Sequence, residues 1–174
     1  SGEPQLTAGA SENVLSPGEE STLAVQISNF GEVWPFRFPG EPAANPETEA
    51  QLQRQVQTAR NVRATLRRGN APVSVRTSTV PLGAIQAKSI REVPFRLTVN
   101  ESADPGTYNL KLDVEYEYDE RVTNAGVVED TDEVDETLNV RVRIEESAAF
   151  RIVGVDSNVQ VGDTGDVTLT MENV

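Results

Sequence analysis

TYNLKLDVEYEY, residues 107–118, is the stretch on which the reading of the fold turns. Tyr108, Leu110, Leu112, Val114, Tyr116 and Tyr118 alternate with Thr107, Asn109, Lys111, Asp113, Glu115 and Glu117. A period of two with an apolar and a charged set is the pattern of a strand buried on one face and wet on the other. Working outward, Ala103-Asp104-Pro105-Gly106 supplies the reversal before it, and Val93, Phe95, Leu97 and Val99 alternate ahead of that turn. Leu138, Val140, Val142 and Ile144 alternate beyond it, as do Leu23, Val25 and Ile27 and then Val62, Ala64 and Leu66 nearer the N-terminus. Ser16-Pro17-Gly18, Arg68-Gly69-Asn70 and Pro81-Leu82-Gly83 place turn chemistry between these runs. Pro94 within its run predicts an edge strand or a bulge. Half-buried strands of this kind belong to antiparallel sheets. About seven of them with regular turns predict an all-β fold, an immunoglobulin-like antiparallel β-sandwich.

One stretch departs from alternation. Pro35, Pro39 and Pro42 surround Trp34, Phe36 and Phe38, and a helical signature follows. Asn45 is a good N-cap, Pro46 suits the first helical position, and Glu47 and Glu49 complement the helix dipole. Leu52, Val56 and Ala59 form a narrow apolar stripe, which predicts one short inserted helix over about 46–59.

The chain has 174 residues, with 28 Asp and Glu against 15 Lys and Arg, a net charge of -13, no Cys and no His. Those absences exclude thiol nucleophiles, disulfides, imidazole bases and Cys- or His-ligated metals. The acidic balance opposes binding to nucleic acid, whose phosphates it would repel. Of the basic residues 13 are Arg, and Lys88 and Lys111 are the sole lysines. Abundant carboxylates with almost no lysine resemble the surfaces of salt-in halophilic archaea, where molar salt cuts the Debye length to about 3 Å and screens self-repulsion. No apolar run is long enough to span a membrane.

The two ends of the chain resemble each other. PGEESTLAVQISN (17–29) aligns with VGDTGDVTLTMEN (161–173) at an offset of 144, setting Gly18 on Gly162, Leu23 on Val167, Val25 on Leu169, Ile27 on Met171 and Asn29 on Asn173. Upstream, Gly9 falls on Gly154 and Asn13-Val14 on Asn158-Val159, one residue out of step. This predicts a complete domain over 1–146 and, over 147–174, the first two strands of a second, truncated repeat, at about 150–155 and 165–173. The natural protein is then expected to be a longer tandem array.

LSPGEESTLAVQISNFG (15–31) resembles the opening of archaeal S-layer-related, cell-adhesion-like domains of the CARDB type. The later stretch LGAIQAKSIREVPFRLTVNESADPGTYNLKLDVEYEYDE (82–120) is similar to their second half, through Leu82, Gly83, Phe95, Val99, Ala103, Pro105, Gly106, Tyr108, Leu110, Leu112, Val114 and Tyr116. The likeness covers about 5–30 and 60–145 and breaks at the segment from Trp34 to Ala59. It implies a secreted, repeated immunoglobulin-like surface module with an anchor elsewhere in the full-length protein. Its motifs are structural, so they speak to fold and context more than to activity.

Candidate chemistry is sparse. Ten carboxylates lie between Glu115 and Glu136, and Asp130, Asp132 and Asp135 are candidates to converge on Ca²⁺ in a loop, although EF-hand spacing is absent. A solvated acidic hairpin loop is the plainer reading. Trp34, Phe36 and Phe38 are a candidate ligand surface for sugar or peptide, or a lid folded on the sandwich edge. Asn100-Glu101-Ser102 is an N-glycosylation sequon. No nucleophile elbow, P-loop or dinucleotide fingerprint occurs, so neither an enzyme nor a cofactor is expected. The expectation is a non-catalytic extracellular adhesion or envelope-structural module of a halophilic archaeon, contacting protein or cell-envelope components. The alternatives are a carbohydrate-binding or accessory module of a secreted enzyme, and an extracytoplasmic adaptor of a membrane transporter.

Overall fold

In the computed structural model, residues 1–34, 40, 44–76, 79–146, 150–159, 161–162 and 164–173 are described. The chain runs through β1 (Gly2–Glu3), β2 (Leu6–Ala10), β3 (Val14–Leu15), β4 (Glu20–Asn29), β5 (Glu32–Val33), α1 (Pro46–Val56), β6 (Ala59–Arg67), β7 (Val73–Val75), β8 (Thr79–Ile85), β9 (Ile90–Val99), β10 (Gly106–Val122), β11 (Val128–Ile144), β12 (Phe150–Ser157) and β13 (Val167–Asn173).

Two sheets form an all-β sandwich, one ordered β2-β4-β9-β7 and the other β3-β11-β10-β6-β8. This is the A-B-E-D and A′-G-F-C-C′ arrangement of an immunoglobulin-like sandwich, with β2 and β3 splitting the first strand between the sheets. There is one departure: β7, beside β9, precedes β8 along the chain. The pairings are antiparallel except that of β3 with β11. Alternation dictates the core. Leu23, Val25 and Ile27 of β4 and Val93, Phe95, Leu97 and Val99 of β9 are buried with Leu110, Leu112 and Val114 of β10 and Val140, Val142 and Ile144 of β11. Pro94 is tolerated because β7 reaches only Leu97–Val99, which leaves that flank of β9 an edge where the proline sits.

Two corners hold the layers together. Ahead of β10 the Tyr108 hydroxyl donates to the Asp104 carbonyl at 2.8 Å, the tyrosine corner of immunoglobulin-like folds. Leu110, two residues on, is fully buried where antibody domains carry a half-cystine, so apolar packing replaces the disulfide. At the end of β4 the buried Asn29 is fully used. Its Oδ1 accepts from the amides of Gln5 and Gly31 at 3.2 and 2.9 Å. Its Nδ2 donates to the carbonyls of Gln57 and Ile85 at 2.8 and 2.9 Å. One side chain thereby fastens the N-terminal segment, the end of the helix and β8 to β4. Gly69 has no substitute: its φ is +57°, and a Cβ would stand 2.1 Å from the Asn109 carbonyl oxygen.

The helix begins as the sequence predicts, with Asn45 accepting from the Thr48 amide at 2.8 Å. It ends at Val56, not at 59. Gln57 caps it and Ala59 is already buried in β6, because an apolar residue three positions past the last turn gains more by joining the sheet.

β12 and β13 pair with each other and with no other described strand. Their register reproduces that of β2 and β4. Leu6 faces Asn29 and Ala8 faces Ile27, as Phe150 faces Asn173 and Ile152 faces Met171. Past a bulge at Val153, Gly154 faces Thr170 and Val155 faces Leu169, where the first hairpin sets Gly9 against Gln26 and Ala10 against Val25. The bulge adds one residue, Val153, ahead of Gly154, and the slip in the aligned sequences takes it back further on, where Leu15-Ser16 stands against the single residue Gln160. Gly18 and Gly162, equivalent in that alignment, both have positive φ, at 75° and 93°.

Candidate functional site

The long β10–β11 hairpin carries most of the molecule's concentrated polar chemistry. The two strands are 17 residues each, and the turn joining them is closed by the Gly126 amide on the Thr123 carbonyl at 2.8 Å. The acidic stretch expected as a loop is thus mostly strand, and alternation sorts its carboxylates between two faces. Asp130 and Asp132 lie on the side of Val134 and Glu136, and Asp135 lies on the other. The three candidate calcium ligands do not converge. Asp130 instead pairs with Arg121 at 2.7 Å, and Asp132 sits opposite Tyr118. Among the described residues no group of three or more carboxylates is placed to hold a metal ion.

The outward face of the hairpin continues onto β6 and β8. Glu115 stands directly opposite Asp135, and Glu117 opposite Glu133. Arg63 faces Glu115 from β6, and Arg60 faces Glu117. Like charges set directly across a ladder are unfavourable, and here two such pairs stack on one face. They line an open depression of about 760 Å³ with Asn61, Arg63, Pro81 and Gly83. Asn61 takes a left-handed φ of 51° at a register shift in β6, which brings its Nδ2 within 2.7 Å of Glu117 Oε1. The arrangement is an acidic, open saddle with Arg63 in its wall.

The inward face differs. Tyr116 and Tyr118 are buried, with Glu136 and Asp132 on the same face of the hairpin, and a groove of about 390 Å³ runs between them and the segment Glu3–Thr7. Burial, with the surrounding carboxylates, pushes the Tyr118 hydroxyl up to about 12 and Tyr116 higher still. Burial likewise holds the Glu136 carboxyl above its ordinary value, partly offset by the polar influence of the Tyr116 hydroxyl. Asp119, near the tip of β10, is not a solvated acid at all. It is buried and accepts from Arg60 at 2.6 Å and from Gln55 of α1 at 2.8 Å, tying the helix to the sheet. Sequence reasoning missed this role, as it missed that of Asn29. The trace of Asn29 was the asparagine ending both aligned segments, and Asp119 left none.

Trp34 lies about half exposed beside α1 and lines a cavity of about 310 Å³ with Leu52, Gln53 and Val56. Phe36 and Phe38 lie outside the described residues. Asn100 is exposed at the corner between β9 and β10, its backbone amide bonded to the Pro72 carbonyl at 3.0 Å.

No family model matches the chain, and no curated protein matches it. Among solved structures it is similar to the sporulation control protein Spo0M of Bacillus subtilis, at 15% identity, with a TM-score of 0.30, over 90% of this chain and 60% of that one. The chain thus spans about 60% of that protein's length. Nothing about activity transfers at this level of likeness.

Proposed function

We propose that the chain is a non-catalytic module of an extracellular surface, acting in adhesion or envelope structure in a halophilic archaeon through contacts with protein or envelope components. The observation that carries this reading is the stacked like-charge face, Glu115 against Asp135 and Glu117 against Glu133. Such a face costs stability in dilute buffer and becomes harmless where salt shortens the Debye length to about 3 Å. It is open and shallow, which suits contact with a broad surface better than enclosure of a substrate. Asn100, at the corner between β9 and β10, is exposed and accessible to a glycan.

A second reading, a carbohydrate-binding module, is favoured by one feature: the half-exposed Trp34 indole beside its cavity. One experiment separates them. Labelled chain is offered, in about 3 M KCl to screen its charge, to washed haloarchaeal envelopes and to a panel of immobilised polysaccharides. Retention on envelopes that survives Trp34→Ala supports the surface module. Retention on polysaccharide that Trp34→Ala abolishes replaces it with the second reading.

A further inference from the structure

β4 and β13 have the same register with their hairpin mates but not the same surroundings. In the sandwich, β4 is flanked on its other side by β9, which sets Phe95, Val93 and Arg91 opposite Leu23, Val25 and Ile27. Those three β4 side chains are 0–1% exposed. Their counterparts in β13, Val167, Leu169 and Met171, are 49–60% exposed. The bulge keeps Phe150, Ile152 and Val155 on the same side as these three, so one face of the hairpin is mainly apolar, with Ser157 opposite Val167 as a polar position at its end. Arg151, Asp156, Thr168, Thr170 and Glu172 make the other face polar, and Arg151 and Glu172 are ion-paired at 3.0 Å.

The edges point the same way. Exposed strand edges are normally blunted by shortness, proline, lysine or a bulge. In the sandwich, β3 has two residues, β7 three and β2 five, and β8 carries Pro81. β13 has seven residues, VTLTMEN, with none of these devices. The bulge that the hairpin does possess lies in β12, the strand equivalent to the outer β2. The hairpin is therefore blunted where the first copy has an outer edge and open where the first copy is paired.

We propose that the free edge of β13 is built to receive an antiparallel strand of the β9 pattern from a second sandwich of the same polypeptide, in the register β9 uses on β4. Apolar residues of that strand lie opposite Val167 and Leu169, and the apolar face of the hairpin becomes one wall of the second core. A second copy of this chain is the less suited occupant. In such a copy β9 is already held along its length by β4 and at its end by β7, whereas the β9 segment 89–100 taken by itself is unpaired and carries Arg91 and Arg96 against Glu92 alone. The inference stands apart from the envelope reading: β13 can accept a strand whatever the module binds.

The test uses the full 174-residue chain extended after Val174 by a flexible Gly/Ser linker and the segment 89–100. Tethering holds the segment at a millimolar effective concentration, so weak intrinsic affinity does not hide binding. Amide hydrogen exchange in about 3 M KCl, chosen to screen charge, is compared with a tether of the same composition in scrambled order. The expected result is at least tenfold slower exchange of alternate β13 amides with the native segment, unchanged with the scrambled one and abolished by Leu169→Asp. Far-ultraviolet and tryptophan signals verify that the Leu169→Asp chain keeps its sandwich. Equal protection by both tethers, or none, overturns the proposal. So does concentration-dependent dimerisation of the untethered chain that itself protects β13, which would make a second copy the occupant.

Discussion

The two hairpins β2–β4 and β12–β13 carry the same alternation, the same pairing register and the same left-handed glycine, and their apolar faces end in opposite environments. In the first, Leu23, Val25 and Ile27 are flanked by β9 and covered by the facing sheet; in the second, Val167, Leu169 and Met171 stand open. Pairing, then, is a local property that a short segment and its turn can specify, whereas burial is supplied by strands remote in sequence. Hydrophobic stabilisation follows the second property and not the first.

The sharpest way to break this comparison is to place a charge at equivalent points. Ile27→Asp buries an unpaired carboxylate in the core and is expected to prevent folding, a cost of more than about 4 kcal/mol. Met171→Asp, in the open hairpin, should move the midpoint of sandwich unfolding by less than about 0.5 kcal/mol. Urea titration followed by the single tryptophan, Trp34, reads both. A large loss in Met171→Asp would mean that the hairpin belongs to the first core.

Asn29 sharpens the comparison from the polar side. Asn29→Ala strands the amides of Gln5 and Gly31 and the carbonyls of Gln57 and Ile85. Leaving buried groups unpaired costs about 1–3 kcal/mol each, so a loss of about 3 kcal/mol or more is expected in the same titration. A loss below about 1 kcal/mol would show that water replaces the side chain and that this junction is looser than its geometry implies.

Salt discriminates between the charged face of the sandwich and the nearly neutral pairing within the hairpin. The thermal midpoint should climb steadily between about 0.1 and 3 M KCl as the repulsion across Glu115–Asp135 and Glu117–Glu133 is screened. The double substitution Glu117→Gln and Glu133→Gln should raise the low-salt midpoint by a few degrees, worth about 1 kcal/mol, and flatten the climb. A flat response in the unaltered chain would remove the basis of the halophile reading.

The smallest effects come from Tyr108 and Glu136. Tyr108→Phe removes the corner hydrogen bond to Asp104 and should cost about 1 kcal/mol with the fold intact. Glu136 has its carboxyl raised above 4.5 by burial, so the folded chain holds that proton more tightly than the unfolded one. Its contribution is therefore most favourable at or below the ordinary value and declines as pH rises through the raised one. Urea midpoints across this acid range should fall less steeply with rising pH in Glu136→Gln than in the unaltered chain.

Much of the fold was legible because alternation is written residue by residue. The central strands β4, β6, β9, β10 and β11 could be placed from their own apolar period and the reversal before β10 from Asp104-Pro105-Gly106, whereas the short strands β3, β7 and β8 and the Tyr108 corner bond could not. The helix start was legible for the same reason, through Asn45 and Pro46, whereas its end was not. Where α1 stops depends on Ala59 joining the β6–β8 pair, a contact with residues more than twenty positions away. The candidate calcium triad failed on a parity argument that needed one further fact: residues 128–144 are a continuous strand, which parts Asp135 from Asp130 and Asp132.

By itself, then, the sequence determined the class of fold, the pairing partners within each hairpin, the internal likeness of the two ends and the acidic surface. These follow from side-chain period, turn chemistry and charge, all carried by neighbouring residues. Only the tertiary structure decided which carboxylates are buried and paired, as Asp119 is with Arg60 and Gln55. It alone showed which like charges face each other across β10 and β11, and which of two matching hairpins has its apolar face covered. Those outcomes depend on long-range register and on the removal of water by distant strands, and neither is encoded in any local stretch of the chain.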